Sequence, residues 1–308
     1  MARMRDSRII PLDRGIADAS SSPVSVGPDS IHDRSIGDIL QQTRDLTADQ
    51  IATVLQYQRD RGMRFGEAAI ALGLVSDKDV LFALSQQFHY HYAPDEQRRF
   101  SDELVVANRP FSQQAESFRA IRSQLTMRVF GHEGPRPALA IVSPDTGDGK
   151  TFFSANLAVA LSQLGGRTLL VDADMRGPRQ QYLFGIENTA GLSGLLSGRS
   201  DAHVIQQVAD LPSLYVLPVG TMPPNPLELF ERPAFGLLLR ELTSKFDYVI
   251  VDTPAAVYGA DANVIAAKCG AALVVARKNS SHVKALQDLV RMIAEGPAKL
   301  AGVIVNEY

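Results

Sequence analysis

Residues 138–151 read Ala-Leu-Ala-Ile-Val-Ser-Pro-Asp-Thr-Gly-Asp-Gly-Lys-Thr, and this stretch decides the fold. The apolar run Ala138–Val142 leads straight into a glycine-bearing loop, Ser143–Thr151, followed by helix-length sequence containing Asn156, Leu157, Val159 and Leu161. Strand, glycine loop and helix in that order are the context a phosphate-binding loop requires. Gly147 and Gly149 leave the backbone N–H groups around Thr146 and Asp148 able to point into a cradle, where the N-terminus of the next helix favours negative charge. Lys150 supplies a point charge for the β- and γ-phosphates and Thr151 a hydroxyl for Mg²⁺, with Phe152 completing the nucleotide-binding stretch. Pro144 departs from the simplest form of the pattern, which has glycine there. The cofactors such a loop calls for are ATP and Mg²⁺.

Working outward, further apolar runs at Thr168–Val171, Leu214–Val219, Tyr248–Val251, Ala271–Ala276 and Ala301–Val305 alternate with helix-length amphipathic segments. Buried runs joined by helical crossovers predict an α/β fold, a doubly wound and mainly parallel sheet covered on both faces. Ligands of such sheets bind at the carboxyl ends of the strands. Two of those ends carry carboxylates: Asp172 and Asp174 after one run, Asp252 after another. A single Asp at a strand end is as readily a turn or cap residue. Three of them beside a phosphate loop are expected to converge on one ATP–Mg²⁺, because Mg²⁺ selects hard oxygen ligands.

The rest of the chain divides by composition. Residues 1–34 are rich in Ser, Asp, Pro and Gly and predict a disordered tail. Residues 35–92 repeat internally at an offset of 29 residues: Ile36-Gly37-Asp38 falls on Phe65-Gly66-Glu67, Leu46-Thr47 on Val75-Ser76, and Gln58 on Gln87. Thr47 with Gln50 matches a capping box, and Ser76 with Asp79 an acidic version of it. Each copy predicts a short helix, a turn and a longer helix, so two copies make a small all-α domain ahead of the sheet. Residues 93–110 read as a charged linker, and residues 111–308 as the nucleotide domain.

Across the 308 residues, 45% are hydrophobic and 21% charged, which suits a globular core. The formal net charge of −3 gives no argument for nucleic-acid binding. The single cysteine, Cys269, allows no disulfide within the chain and fits a reducing compartment as a buried filler. No apolar h-region follows the N-terminus, and no apolar run approaches the roughly 18 residues that span a bilayer. The expected location is cytoplasmic, with any membrane attachment made through a partner.

The phrase running from Ser143 to Pro178 resembles the nucleotide-binding segment of the bacterial tyrosine kinases of capsule and exopolysaccharide synthesis. Gly191–Gly198, Gly220–Phe230 and the triplet Glu116, Arg119, Arg122 also look like that family's phrases. The resemblance implies that Asp172 accepts the tyrosine hydroxyl proton, that Thr151, Asp174 and Asp252 hold Mg²⁺, and that Asn306 recognises the adenine. It implies that Glu116, Arg119 and Arg122 pack catalytic domains into a homo-oligomeric ring; by themselves they fit a solvated i,i+3 face. It further implies an integral-membrane polysaccharide co-polymerase as partner. The family's tyrosine-rich tail is reduced here to Tyr308, the one candidate phosphosite at the end of the chain. The short end and helical front are similar to EpsG-type chain-length kinases.

The helical repeat resembles the MshEN domain of type II secretion ATPases. Some of those domains bind cyclic di-GMP, which implies Arg64, Gly66, Gly73 and Gln87 as its candidate contacts in the second copy. The first copy has Ser35 and Arg44 where the motif expects arginine and glycine, so a protein-docking module is the competing reading. For the whole chain the alternatives are a ParA/MinD-like positioning ATPase and a switch that hydrolyses ATP without phosphorylating tyrosine. Against the first stands Asp145, at the place where that branch carries a signature lysine.

Overall fold

The computed structural model describes residues 35–87, 100–131, 134, 136–199 and 204–307. The expected tail, residues 93–99 of the expected linker, and Tyr308 lie outside them. The chain divides into two compact units, one of residues 18–98 and the other built mainly of residues 99–308.

The first unit contains four helices in its described part, α1 (Ile36–Arg44), α2 (Ala48–Arg61), α3 (Phe65–Ala71) and α4 (Asp77–Gln87). The 29-residue offset carries the start of α1 onto that of α3 and the start of α2 onto that of α4. Thr47 N–H donates to Gln50 Oε1 at 2.9 Å, and Gln50 N–H donates back to Thr47 Oγ1 at 3.3 Å. Ser76 N–H donates to Asp79 Oδ2 at 2.8 Å, so the acidic version of the box also forms. Ser35, in the place where an arginine was expected, caps α1 through a third box with Asp38. Its counterpart Arg64 makes no side-chain cap, and Glu67 alone covers the first N–H of that turn at 2.9 Å. Leu40, Val54, Ala68, Ala69 and Ala83 are wholly buried between the helices.

The second unit begins earlier than the composition suggested. Leu104–Asn108, inside the expected linker, is buried, and Val105–Asn108 forms the short helix α5. One apolar turn set among charges is too short to show helical periodicity, so the run reads as linker. Beyond it come α6 (Gln113–Leu125), β1 (Ala138–Val142), α7 (Lys150–Ser162), β2 (Thr168–Asp172), α8 (Gln180–Phe184) and α9 (Leu192–Leu196). Then follow β3 (Gln206–Val208), β4 (Leu211–Leu217), α10 (Pro226–Glu231), α11 (Pro233–Lys245) and β5 (Tyr248–Asp252). The unit ends with α12 (Asp261–Cys269), β6 (Gly270–Arg277), α13 (Val283–Glu295) and β7 (Lys299–Asn306).

The seven strands form one sheet in the order β3-β4-β2-β5-β1-β6-β7. All pairings are parallel except that of β3 with β4. Strand β3 was not expected, because its Gln-Gln-Val sequence is polar and only three residues long. Along β1, Leu139 and Ile141 face one core with Leu157 and Leu161 of α7, whereas Ala138, Ala140 and Val142 face a second core with Phe230, Phe235 and Ile265. A strand buried on both faces needs apolar residues at every position, as the period of two requires. Cys269 is buried in the second core, where burial pushes its thiol pKa up, so it acts as filler.

Candidate nucleotide site

Between β1 and α7 the chain turns through residues 143–149, and the turn is tied from within. Lys150 Nζ, buried, donates to Ser143 Oγ at 3.0 Å, and Ser143 Oγ donates to the Asp145 carbonyl at 2.7 Å. Thr253 Oγ1, after β5, donates to the Ile141 carbonyl at 2.7 Å. Gly147 and Gly149 have φ of 85° and 97°, the left-handed region that glycine enters without strain. A Cβ at Gly149 would also collide with the Asn306 amide. No side chain caps α7, so its first N–H groups are left for an anion. The loop opens on a cavity of about 560 Å³ whose walls include Thr146, Gly147, Lys150, Thr151, Asp174 and Asn306. Phe152 also lines it and packs edge-on to Phe118.

Strands β2 and β5 are paired so that Asp172 lies directly beside Asp252. Both are wholly buried. Asp172 accepts from the N–H groups of Asp174 and Gln180, each at 3.1 Å. Burial pushes its carboxyl well above the ordinary range, and the Asp252 charge adds to that. Asp252 is pushed up to about 6, by burial first and by Asp174 next, while the Lys150 ammonium pulls the other way. Asp174 is half-buried at the cavity wall, one oxygen accepting from the N–H groups of Arg176 at 3.2 Å and Gly177 at 3.0 Å.

These groups suit a hard divalent cation. Asp252 Oδ1 is buried with no hydrogen bond of ordinary geometry among the described residues, so only the nearby Lys150 ammonium and Thr151 hydroxyl offset the lost hydration of this carboxylate. Thr151 and Asp174 line the adjoining cavity. Among the described residues no cluster of three or more His, Cys, Asp or Glu side chains makes an all-protein metal cage. A cation held by a few side chains and by phosphate oxygens is how Mg²⁺ binds.

Gln180 was not foreseen. Its Nε2 donates to Asp252 Oδ2 and Ser154 Oγ, both at 2.9 Å, while its N–H serves Asp172. It clamps the two carboxylates together, but in the sequence it is one glutamine of a Gln-Gln pair, without a motif around it.

Other candidates fall elsewhere. Arg119 Nη1 donates to Glu116 Oε2 at 2.8 Å, and Arg119 Nη2 donates to the Pro110 carbonyl. Arg122 Nη1 donates to the Ala160 carbonyl at 2.8 Å, while the Glu116 side chain is 70% exposed. Arg64, Gly66 and Gly73 lie in the helical unit. There a Cβ on Gly66 would come within 2.6 Å of Val80 Cγ1, so the glycine admits helix α4. Gly73, with φ of 67°, closes α3 through its N–H to the Ile70 carbonyl. The Gln87 side chain is outside the described residues.

Residues 139–308 match the CobQ/CobB/MinD/ParA nucleotide binding domain family. The putative tyrosine-protein kinase CapB of Staphylococcus aureus is 33% identical over 208 residues, covering 66% of this chain and 89% of that protein. The tyrosine-protein kinase wzc of Salmonella typhimurium strain LT2 is 31% identical over 204 residues, but these cover 28% of it, so this chain spans little more than a quarter of that relative. The kinase domain of the Escherichia coli tyrosine kinase ETK superposes with a TM-score of 0.64 at 30% identity, over 70% of this chain and 84% of that domain.

Proposed function

Since the chain belongs to the CobQ/CobB/MinD/ParA nucleotide-binding family and to the bacterial tyrosine kinases, we propose that it is an ATP- and Mg²⁺-dependent tyrosine autokinase-like ATPase that regulates exopolysaccharide polymerisation, chain length or export. The observation that carries this reading is the side-by-side pair Asp172 and Asp252 next to Lys150, one of whose oxygens lacks a hydrogen bond of ordinary geometry among the described residues. Backbone N–H groups of the loop and the Lys150 ammonium bind the phosphates, and Thr151, Asp174 and Asp252 hold Mg²⁺. The cation, when bound, draws charge from the phosphate oxygens and offsets the repulsion among the carboxylates. The acceptor tyrosine oxygen forms a bond to the γ-phosphorus as the bond to the β-γ bridging oxygen breaks. Asp172 takes the tyrosine proton and ADP leaves. A carboxylate whose basicity is raised by burial suits that role.

The finer features of the reading are of the EpsG type. Tyr308 or a tyrosine on another protein accepts the phosphate, Asn306 meets the adenine, and an integral-membrane co-polymerase recruits the chain to the cytoplasmic membrane face. Among the described residues no helix is long and apolar enough to cross a membrane. Exposed Glu116 offers a carboxylate to a second copy in a homo-oligomer, with Arg119 and Arg122 bracing its helix. The MshEN-like unit docks a protein. Cyclic di-GMP at Arg64, Gly66, Gly73 and Gln87 is the competing ligand, tested by calorimetric titration of the full chain beside Arg64→Ala.

The deciding experiment incubates the purified chain with ATP–Mg²⁺, alone and with the co-polymerase's cytosolic segment, and detects phosphotyrosine. Signal in wild type that vanishes in Lys150→Met supports the kinase. Steady ATP hydrolysis with no phosphotyrosine on either component rejects it in favour of a switch.

A further inference from the structure

Side chains from outside the phosphate loop converge on three of its residues. Arg277, at the end of β6, donates Nη1 to the Gly147 carbonyl at 3.3 Å. Ser281, in the turn before α13, donates Oγ to Asp148 Oδ1 at 2.6 Å and itself accepts from the Arg277 N–H at 2.7 Å. Asn306, at the end of β7, donates Nδ2 to the Asp148 carbonyl at 3.1 Å. The other Asp148 oxygen accepts from the Asp145 N–H at 2.9 Å, and the whole Asp148 side chain is buried. His282 Nδ1, from the same turn, stands 3.9 Å from Asp145 Oδ2.

These contacts have a directional consequence. In a planar trans peptide the C=O and the following N–H point opposite ways. Arg277 stands outside the cavity wall, so the Gly147 carbonyl it holds is drawn out of the cavity and the following Asp148 N–H turns towards it, while Asn306, itself in the wall, fixes the Asp148 peptide. The Ser281 bond also keeps the Asp148 carboxylate turned away from where the phosphates bind, a place where its charge would repel them. We propose that the turn Arg277–His282 is a clasp that pre-forms the phosphate cradle, with Ser281 as the positioning residue that sets nucleotide affinity. The inference rests on the nucleotide-site reading above and adds the element that shapes that site from outside. A cradle already formed spends less binding energy on ordering itself, so loss of the clasp weakens ground-state binding more than turnover.

The test uses the full chain, measuring ATP hydrolysis and equilibrium binding of a fluorescent ADP analogue. Ser281→Ala is expected to raise both KM and the ADP Kd about 5- to 10-fold with kcat within about 2-fold, the pattern of lost uniform binding. Ser281→Thr, which keeps the hydroxyl, is expected to recover most of the affinity. The double variant Asp148→Asn/Ser281→Ala is expected to bind no worse than the weaker single one, since an amide offers one acceptor oxygen where Ser281 and the Asp145 N–H each need one, so the two changes disturb the same contact. Should Ser281→Ala fail to fold, Arg277→Ala, altered at an exposed side chain, carries the same expected KM rise. Unchanged KM and Kd in a folded Ser281→Ala, or a Thr variant as weak as the Ala one, overturns the clasp. Lys150→Met separates the two readings: if it binds ADP as tightly as wild type, the nucleotide site itself is wrong.

Discussion

Asp79 in the helical unit and Asp252 in the nucleotide unit are carboxylates treated in opposite ways. At Asp79, burial is outweighed by hydrogen bonds from Ser76 and Arg44, which hold its carboxyl below the ordinary range. At Asp252, burial wins, and one oxygen is left without a hydrogen bond of ordinary geometry among the described residues. The contrast extends across both units. Polar bonds of the helical unit's caps join residues three apart at exposed helix ends. Those at the nucleotide site are buried, Lys150 to Ser143 within the loop and Gln180 to Asp252 between segments far apart in the chain. Exposed caps fix where helices begin and stabilise by about 1 kcal/mol each. A buried and incompletely satisfied polar network costs stability, and a fold carries it where a ligand completes it. Local caps stabilise the helical unit by themselves, whereas the buried network of the nucleotide unit is completed by a ligand.

The largest expected effect breaks the helical unit alone. Leu40→Ala removes a wholly buried side chain from a small core, a loss of about 2–5 kcal/mol. Circular dichroism should show the helices of this unit melting at lower temperature, while ATP hydrolysis per chain stays unchanged. A parallel fall in hydrolysis would show that the two units form one cooperative body. The converse comes next. ATP–Mg²⁺ at 100 times its Kd stabilises whatever binds it by about 2.7 kcal/mol. Scanning calorimetry should place that shift in the nucleotide unit's transition and leave the other in place.

How much of this was legible in the sequence follows from the same contrast. Strand ends and the phosphate loop announce themselves because β1, β2 and β5 must be apolar on both faces, and β2 and β5 each end in an Asp that interrupts the run. Capping boxes are legible because the bond is local, Thr47 to Gln50. Gln180, Ser281 and Arg277 were not legible. Their partners lie far off along the chain, Asp252 for Gln180 and Asp148 for Ser281, and only the fold brings them together. Helix α5 and strand β3 escaped for another reason: four and three residues are too few for a period to show.

The pH dependence sharpens the contrast with a smaller effect. Asp252 titrates at about 6 in the folded chain against an ordinary 3.8. The folded state therefore keeps a proton that the unfolded chain releases, and stability is full below about pH 4 and lost as pH rises towards 6. For this group the loss is on the order of 2–3 kcal/mol, taking about 1.4 kcal/mol per pK unit. Asp79 tilts the other way, because its lowered carboxyl stabilises above its ordinary value and loses that contribution as pH falls. Without ATP or Mg²⁺, the nucleotide unit's transition should fall from pH 4 to 6, and Asp252→Asn should reduce that slope, the remainder belonging to buried Asp172, whose carboxyl is raised in the same direction. A slope unchanged in Asp252→Asn would place the titration elsewhere.

The smallest effect concerns Gly66, whose two readings the comparison sets against each other. If the helical unit is built for stability, this glycine exists to let α4 approach. Alanine there would then force its Cβ to 2.6 Å from Val80 Cγ1 and lower stability by about 1–2 kcal/mol through overpacking. If the unit binds cyclic di-GMP through a bare backbone, the same change should abolish calorimetric heat with little effect on melting. Val80→Ala removes the methyl groups that Cβ would meet, so Gly66→Ala/Val80→Ala should melt above the sum of its two single losses if the collision is the cause. Strict additivity in that cycle would remove the packing explanation. Lost heat in a Gly66→Ala variant that melts like wild type would put the glycine at a ligand and make the helical unit a binding unit as well.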